Sequence, residues 1–529
     1  MSERYDVIVI GAGHNGLTAA ALLAKKGRRV LVVEARPLVG GLAAGEEFHP
    51  GYRHTGLLHD TSRVRPWVVE ALDLVRHGLA RRAPADLLVP QAAGSGLVLS
   101  SSGLSGSGAA SGAGTTAYSA ADSNDLSPSD RDGLARFSGF LTRIAPALRR
   151  FLDRSPPDLV ETGARDLLQL GLAGLALRRL GKRDMMEVLR IVTMPVADWL
   201  GEWFDSDLLQ AALAGPAVYC TYSGPRSPGS NANLVLSAVA ADRPVVGGPQ
   251  GLVTALERAA RALGVEIRCG AAVERILLES GGPEGHRVSG IEISGGEQIA
   301  TRAIAASCDP KQLFLDLLPP AALAKNFESD LLNFRSRGTA AKIHLALCAY
   351  PQFSSRPGQV FEHVRTGENL DQLERAFDAI KYRRVSVRPV LDIRFPTVST
   401  PGLAPDGHHV ASILVNFAPF ELDGGWTNEA RGALYRSVID VLDGYAPGIE
   451  ELVVGHEILS PADLATRYRL TQGHLFHGEH ALDQLLIRPV PRCARYATPL
   501  AGLFLCGSGS HPGGGLTCAP GALAARVIA

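Results

Sequence analysis

The sequence has few cysteines and lacks the cysteine pairs that bind a metal or cycle through a disulfide. Its seven cysteines lie at positions 220, 269, 308, 348, 493, 506 and 518, with no Cys-x-x-Cys pair and no zinc-type spacing to histidine. Such a scatter is typical of free thiols in a reducing compartment. We therefore expect a cytoplasmic protein without a bound metal.

An excess of charge of either sign is also lacking. The 529 residues include 53 lysines and arginines and 53 aspartates and glutamates. The chain has no net positive charge that would attract a nucleic acid or an anionic membrane surface. We expect a small organic molecule as the partner, and no nucleic acid.

Long hydrophobic runs are missing as well. The longest helix-like apolar stretch, Leu167 to Leu177, contains Gln169 and has about half of the roughly 20 residues that a bilayer span requires. The first six residues are mostly polar and do not resemble a signal peptide. We expect no transmembrane segment and no export, and peripheral contact with a membrane stays open.

What the sequence does contain is a βαβ unit at its start. A buried β-branched run ends at Ile10, and Gly11-Ala12-Gly13-His14-Asn15-Gly16 opens a helix that leads to a second such run, 29–33. In a GxGxxG turn the first glycine makes the bend, the second admits a pyrophosphate and the third lets helix and strand pack. Glu34 follows the second strand, where a carboxylate can bind ribose hydroxyls. The pattern predicts a dinucleotide site in a parallel, doubly wound sheet.

Two further glycine clusters favour FAD over NAD as the dinucleotide. Ala35 and Arg36 lead to the doublet Gly40-Gly41, and a strand near the C-terminus ends in a turn that includes Gly507, Ser508, Gly514, Gly515 and Leu516. A nicotinamide dehydrogenase has no need for its last thirty residues to return to the first βαβ unit, whereas FAD must be held at both ends. The sequence therefore predicts an FAD site built from both ends of the chain.

Composition and periodicity divide the chain into five segments. We expect the FAD-binding domain in 1–85, 241–318 and 496–529, a helical and substrate region in 86–240, and the rest of the substrate domain in 319–495. Within the second segment, residues 92–123 are dominated by Ser, Gly and Ala. We interpret them as a flexible surface loop or a poorly ordered hairpin that the fold does not need.

The motifs at both ends of the chain resemble the phytoene desaturase superfamily. The residues that carry the likeness are Gly11 to Leu17, Glu34 with Gly40-Gly41, and Leu505 to Gly515. Within that superfamily they are similar to the flavoproteins called pyridine nucleotide-disulfide oxidoreductase domain-containing protein 2. The likeness covers the cofactor domain and is much weaker across 85–240.

The resemblance implies a glutathione-reductase-type α/β fold, with a discontinuous FAD domain and a substrate domain of mixed sheet and helices. It implies FAD held without a covalent bond, Val273 with its backbone at the adenine, and a helix from Leu516 onward whose N-terminus faces the flavin pyrimidine. Gly514 and Gly515 would then be small because backbone approaches the flavin. Although the group's name suggests a redox dithiol, we expect no thiol relay, because no Cys-x-x-Cys is present.

Several histidines are candidate catalytic groups. His474, His477 and His480 have a spacing that could serve a metal on a helix, but the glycines around them favour a loop that lines the flavin or substrate cavity. His511, beside Pro512, is either a proton partner or a residue that shapes the glycine turn. We retain His477 and His511 as the catalytic candidates.

The reaction expected from these features is removal of a hydride from a C–H bond of a hydrophobic or partly polar small molecule, with O2 or another acceptor taking up the electrons. A flavin amine oxidase is the alternative enzyme, because it shares the N-terminal motif. A third hypothesis, of another class, is an FAD-binding regulatory protein without turnover.

Overall fold

Parallel and mixed strands form the framework of the computed structural model, which describes residues 5–103, 116–120, 125–158, 163–281, 285–320 and 322–529. The strands, numbered in chain order, are β1 (Val7–Ile10), β2 (Val30–Val33), β3 (Glu47–His49), β4 (Tyr52–Arg53), β5 (Leu87–Val89), β6 (Leu97–Gly103), β7 (Thr116–Ala120), β8 (Glu266–Arg268), β9 (Val273–Ser280), β10 (His286–Ile293), β11 (Gln298–Ala300), β12 (Ile304–Ala306), β13 (Ala340–Leu347), β14 (His363–Arg365), β15 (Val390–Arg394), β16 (His409–Asn416), β17 (Val453–Leu459) and β18 (Leu503–Leu505).

The helices lie between these strands and cluster in the middle of the chain. They are α1 (His14–Lys25), α2 (Pro66–Ala71), α3 (Pro128–Leu152), α4 (Ala164–Arg178), α5 (Gly181–Ile191), α6 (Val196–Gly201), α7 (Asp207–Val218), α8 (Ser230–Ala240), α9 (Gly248–Ala262), α10 (Lys325–Asn333), α11 (Leu370–Lys381), α12 (Asn428–Asp443), α13 (Ile449–Leu452), α14 (Pro461–Tyr468) and α15 (Ala519–Ile528). No helix among the described residues is both long and apolar enough to cross a bilayer.

The cofactor domain is built on a five-stranded parallel sheet with the order β18-β12-β1-β2-β8. Its central strands β1 and β2 are buried throughout, as expected for β-branched runs that are covered on both faces. Helices α1, α9 and α15 pack on one face through apolar residues such as Leu17, Leu256 and Leu523. The antiparallel sheet β11-β10-β9 covers the other face. Three distant stretches of sequence therefore form one parallel sheet, as the predicted fold class requires. The predicted doubly wound arrangement holds for one face only, because an antiparallel sheet takes the place of helices on the other.

The second domain is built on an eight-stranded mixed sheet with the order β17-β13-β16-β15-β14-β5-β6-β7. Strands β13, β15 and β16 pair antiparallel, while β14 and β5 run parallel. Apolar side chains of β13 and β16 pack against α12, and helices α3, α6, α7 and α8 form a separate apolar cluster that also takes in β5 and β6. This mixed sheet with helices confirms the fold class expected for a substrate domain.

Of the two alternatives for 92–123, the flexible surface loop is wrong for its first part, while the consecutive antiparallel strands β6 and β7 agree with a hairpin. Residues 97–103 form β6, which pairs with β5 and β7 inside the large sheet. Leu97 and Leu99 are buried in the helical cluster. The Ser and Gly residues around the short Leu-Val-Leu run make the average composition of the segment polar. The run nevertheless forms a strand, because a neighbouring strand and a helical layer bury its side chains. Residues 104–115 and 121–124 lie outside the described part of the chain.

Candidate active site

The turn between β1 and α1 shows a different role for each of its glycines. Gly11 has a φ of +96°, which L side chains rarely adopt. A Cβ on Gly16 would lie 2.0 Å from the carbonyl oxygen of Gly11, so this glycine lets helix and strand pack. At Gly13 a Cβ would meet nothing within 4 Å. Gly13 therefore borders open space in which a ligand can approach the backbone.

Glu34 anchors this turn by two hydrogen bonds. Its carboxylate accepts from the backbone N–H of Ala12 at 2.8 Å and from that of Arg36 at 2.9 Å. The carboxylate lies at the wall of the groove beside the turn, and an ionised carboxylate has further lone pairs to offer to ribose hydroxyls. Glu34 thus shapes the turn and can also bind a ligand.

The groove beside the turn collects most of the residues predicted to bind the cofactor. Its lining includes Gly11, Gly13, His14, Asn15, Glu34, Ala35, Arg36, Gly41, Val273 and Ser508. Gly16, Gly40 and Gly507 lie behind this lining, where a Cβ would meet Gly11, Val253 and Ser307 respectively. Asn15 donates to the Ser508 hydroxyl at 3.2 Å, which ties the first helix to the C-terminal turn.

The groove fits an extended dinucleotide. Gly13 leaves the space above the helix N-terminus open, and backbone N–H groups at a helix N-terminus donate to phosphates. The backbone of Gly13 and Asn15 would hold the diphosphate, and Glu34 would hold a ribose. Val273 and Arg36 line the far end, where the guanidinium of Arg36 is held by Glu46 at 2.6 Å and lies over the ring of Tyr468.

The C-terminal turn returns to the first helix, but the last helix begins later than predicted. Helix α15 starts at Ala519, after Cys518 in the left-handed region with a φ of 60°. The stretch from Leu516 onward is therefore first a turn and then a helix. The carbonyl of Gly515 accepts a hydrogen bond from the His14 ring at 3.2 Å, so the two ends of the chain meet directly.

The smallness of Gly514 and Gly515 has causes within the protein. A Cβ on Gly514 would lie 2.3 Å from the Cβ of Phe476, and one on Gly515 would lie 2.3 Å from a guanidinium nitrogen of Arg63. Gly515 also has a φ of +98°. Close packing and a left-handed backbone thus require glycine at these positions, and the approach of this backbone to the flavin stays a prediction.

A central cavity of about 240 Å³ adjoins the groove. Leu58 lines both spaces, and Gly515 and Leu516 of the C-terminal turn also line the cavity. Gly514 lines a smaller cavity next to it, together with Phe476. The groove and the cavity are therefore neighbouring spaces that share a wall at Leu58.

Charged side chains on one side of the central cavity are arranged around Asp392. Its carboxylate accepts hydrogen bonds from His363 at 2.8 Å, from Arg365 at 3.1 Å and from the hydroxyl of Tyr219. The imidazole and guanidinium groups hold the pKa of Asp392 well below its usual range. Burial lowers the pKa of His363 to about 4, so at neutral pH this wall presents an ionised Asp392, a cationic Arg365 and a neutral imidazole.

A second part of this network joins the cavity to the interior of the large sheet. His59 lines the cavity and contacts the amine of Lys342 and, at 3.0 Å, the hydroxyl of Ser412. Burial lowers the pKa of His59 to about 3 and that of Lys342 well below its usual value. Both groups therefore favour the neutral form more than they do in water.

The candidate catalytic histidines occupy different places. His477 lines the cofactor groove, and burial lowers its pKa. His511 is buried, contacts the carbonyl of Phe151 at 2.7 Å, and is not part of the lining of the groove or of the two cavities described. His477 therefore lies at the groove, whereas His511 lies away from the groove and from both cavities.

The three closely spaced histidines lie in a loop and point to different partners. The His474 Nδ1 accepts from the backbone N–H of Phe476 at 3.1 Å, and the His480 Nε2 accepts from that of Gly514 at 3.0 Å. With His477 at the groove, the three rings do not face a common centre. This arrangement supports the loop interpretation over a shared metal.

Another group of donors has the spacing of a metal site. Three possible donor atoms lie within 4.8 Å of one another, one each from His54, His344 and Glu457. The two imidazole rings are stacked, with centroids 4.1 Å apart and planes at 11°. Because a metal prefers the plane of each imidazole, parallel rings do not suit a shared ion, and we assign none.

The cysteines near the groove are poorly suited to thiol chemistry. All seven are free. Burial raises the pKa of Cys308, which lines the groove, to about 12, and raises that of the buried Cys506 further. Exchange requires a thiolate, so these values support the expectation of no thiol relay.

Sequence reasoning missed the charged wall of the central cavity. Its members alternate along strands: His363 and Arg365 on β14, and Asp392 and Arg394 on β15. Polar residues at i and i+2 inside otherwise apolar strands are a signal that one face of the sheet borders a site. Two polar residues on each strand are a weak pattern, and the pattern does not show which strands are neighbours in the sheet.

The five-stranded parallel sheet, the open glycine turn and the groove closed by both chain ends define an FAD-dependent oxidoreductase. Residues 9–62 match the model of the NAD(P)-binding Rossmann-like domain. The fold is shared with an oxidoreductase from Methanosarcina mazei, at 17% identity, 99% coverage of both chains and a TM-score of 0.57. It is also shared with a putrescine oxidase variant, at 16% identity, coverage of 99% and 98% and a TM-score of 0.57.

Similarity to curated proteins extends over the whole chain. The pyridine nucleotide-disulfide oxidoreductase domain-containing protein 2 of Rattus norvegicus is 32% identical, with 100% of this chain and 94% of the relative covered. A hydroxyneurosporene desaturase of Rhodobacter capsulatus is 27% identical, with coverage of 100% and 98%. A zeta-carotene-forming phytoene desaturase of Myxococcus xanthus is 26% identical over 60% of this chain and 58% of the relative. The chain belongs to the family of pyridine nucleotide-disulfide oxidoreductase domain-containing protein 2, within the phytoene desaturase-like flavoproteins.

Proposed function

We propose that the protein removes a hydride from a C–H bond of a small organic molecule bound in the central cavity. The observation that carries this proposal is that the groove and the cavity share Leu58, and that Gly515 of the cavity wall accepts a hydrogen bond from His14 of the groove wall. Bound FAD supplies the hydride acceptor. O2 or another acceptor then takes up the electrons.

The cavity lining supports a partly polar substrate over a pure hydrocarbon. Leu57, Leu58 and Leu414 supply an apolar side, while Asp392 and Arg365 supply a charged one. Arg394 also lines the cavity, and its buried Nε has no hydrogen-bond partner. A hydrocarbon would leave this group unsatisfied, which is costly away from water. A substrate with an apolar reacting part and a polar or charged end satisfies both sides.

The chain's own residues bind and orient the substrate and keep water from it. Asp392 fixes Arg365, His363 and Tyr219 by hydrogen bonds, which gives the substrate's polar end a rigid partner. His59, held neutral by burial, lines the cavity as an uncharged polar contact. We assign His477 to contact with the cofactor, and His511 to the turn.

The test is anaerobic mixing of the purified flavoprotein with a panel of amines, polyenes and acyl compounds while the flavin absorbance is followed. Bleaching by acyl compounds or polyenes supports a dehydrogenase or desaturase, and bleaching by amines alone indicates an amine oxidase. Photoreduction serves as a control that the flavin is competent. If it is, and no compound of any class bleaches the flavin, a binding or regulatory role replaces the proposed reaction.

Arg394→Gln is the matched variant for this test. Arg394 lines the cavity, and its only described ion-pair contact is to Asp392 at 3.9 Å. The variant should slow bleaching by a substrate with an anionic or polar end about tenfold or more, because one charge-assisted hydrogen bond is lost. Its photoreduction should be unchanged. Equal slowing of both reactions would show damage to the cofactor site and not to substrate binding.

We also propose a cytoplasmic location. The seven free cysteines support a reducing compartment. Cell fractionation tests this part: recovery from an oxidising compartment would contradict it.

A further inference from the structure

Helices α4 and α5 present a group of exposed apolar side chains, which we refer to as the leucine surface. Its members on α4 are Leu167, Leu168, Leu170, Leu172 and Leu175, and on α5 Met186 and Leu189. Leu167 and Leu168 are 62% and 63% exposed. Seven large apolar side chains within 23 positions thus face outward.

A helix that is apolar on its outer side differs from the usual helix on the surface of a globular domain. A surface helix normally directs its apolar stripe to the core and charged residues outward. In α4 the inner side is also apolar, since Leu177 packs against the helical cluster, and no residue from Leu167 to Leu177 is charged. Contiguous exposed apolar patches of this kind usually mark an interaction surface.

Four cations border the leucine surface. Arg178, Arg179, Lys182 and Arg183 lie where α4 ends and α5 begins, and within the described residues no ion pair involves any of them. The acidic residues of α5 are already paired: Asp184 contacts Arg143 at 2.8 Å, and Glu187 contacts Arg190 at 2.7 Å. The border of the surface is therefore positively charged.

We propose that the leucine surface lies in the interface of a bilayer that contains anionic phospholipids. The apolar side chains enter the boundary between headgroups and acyl chains, and the four cations contact lipid phosphates. The uncharged stretch is about 16 Å long at 1.5 Å per residue, too short to span a membrane but long enough to lie along it. The inference goes beyond the proposed reaction and does not depend on it.

The same charges argue against a second copy of the chain as the partner. In a two-fold dimer the surface meets itself, so the cations of one copy would approach those of the other. Close like charges without counterions disfavour such a contact. An anionic lipid surface supplies the missing counterions.

The experiment is flotation of the FAD-loaded full chain with vesicles of phosphatidylcholine alone or of phosphatidylcholine with about one third phosphatidylglycerol. Binding to the anionic vesicles is expected, with weaker binding to neutral vesicles or at high salt. The variant Leu167→Asn/Leu168→Asn/Leu175→Asn should bind anionic vesicles at least about tenfold more weakly. Its FAD content should stay unchanged, because these side chains are exposed.

Leu332→Asn is the matched control, because Leu332 is 61% exposed and lies on α10, outside the leucine surface. It should bind vesicles as the unmodified chain does. Failure of the unmodified chain to bind anionic vesicles, or equal binding by the triple variant, would overturn the proposal. A dimer in solution that the triple variant converts to a monomer, without vesicle binding by either, would assign the surface to a second copy instead.

Discussion

Exchanging glycine for alanine at two positions of the nucleotide turn should separate folding from cofactor binding. At Gly16 the added Cβ would lie 2.0 Å from the carbonyl oxygen of Gly11, whereas ordinary contacts begin at 3.4 Å. The turn would have to move by more than an ångström, and overpacking of this kind costs about 1–3 kcal/mol or more. Gly16→Ala should therefore destabilise the apoprotein.

At Gly13 the same change should affect only the ligand. The added Cβ meets nothing within 4 Å, and the backbone, at φ −66° and ψ 169°, suits alanine. The apoprotein should be unchanged or more stable by up to about 1 kcal/mol. The methyl group occupies space where a diphosphate approaches the backbone. Loss of one charge-assisted hydrogen bond, about 1.5–3 kcal/mol, would weaken FAD binding about tenfold to a hundredfold.

Urea unfolding of both apoproteins and titration with FAD would measure these effects. We expect a stable Gly13→Ala apoprotein with a raised Kd for FAD, and a destabilised Gly16→Ala apoprotein. An unchanged Kd in Gly13→Ala would refute the placement of the diphosphate. Destabilisation of the Gly13→Ala apoprotein to the level of Gly16→Ala would refute the distinction between the two glycines.

Other perturbations test the site and the fold. Glu34→Ala removes the acceptor of two backbone N–H groups, so it should lower apoprotein stability and weaken FAD binding about tenfold to a hundredfold. Urea unfolding and FAD titration measure the two effects. An apoprotein as stable as the unmodified one would show that the turn does not need the carboxylate. Leu99→Ala should lower the free energy of unfolding in urea by about 2–5 kcal/mol, because Leu99 is 1% exposed. A negligible decrease would indicate that the fold does not need this segment. Burial lowers the pKa of His14 from 6.5 to about 4 and that of His59 from 6.5 to about 3, so the unfolded chain binds protons that the folded chain does not. Stability should fall as pH drops below about 6.5, by about 2 kcal/mol per histidine at about pH 5, and His59→Gln should flatten the profile measured by thermal unfolding; an identical profile would contradict a neutral, buried His59.

Most of the cofactor domain could be predicted because its signals are local. Gly11, Gly13 and Gly16 all lie within one stretch of six residues, and Glu34 follows directly on a buried strand. The return of the C-terminus was also predictable from its own strand and glycine turn. Its helix began three residues late because Cys518 adopts a left-handed backbone, for which a sequence pattern gives no sign in a residue other than glycine, asparagine or aspartate.

The substrate side could not be predicted in the same way, because its residues meet only through strand pairing. Asp392 and His363 lie on neighbouring strands, while His59 comes from the first segment of the chain and Lys342 from β13. No spacing along the sequence connects them. Strand β6 was missed for a related reason, since its burial depends on the partners β5 and β7 and not on its own composition.

Acid extraction tests most directly whether the groove holds FAD. The purified protein should show the flavin spectrum, and after acid denaturation and centrifugation the supernatant should contain about one equivalent of FAD per chain. Flavin that stays with the precipitate would contradict non-covalent binding. A colourless protein that takes up no FAD on reconstitution would contradict the central claim.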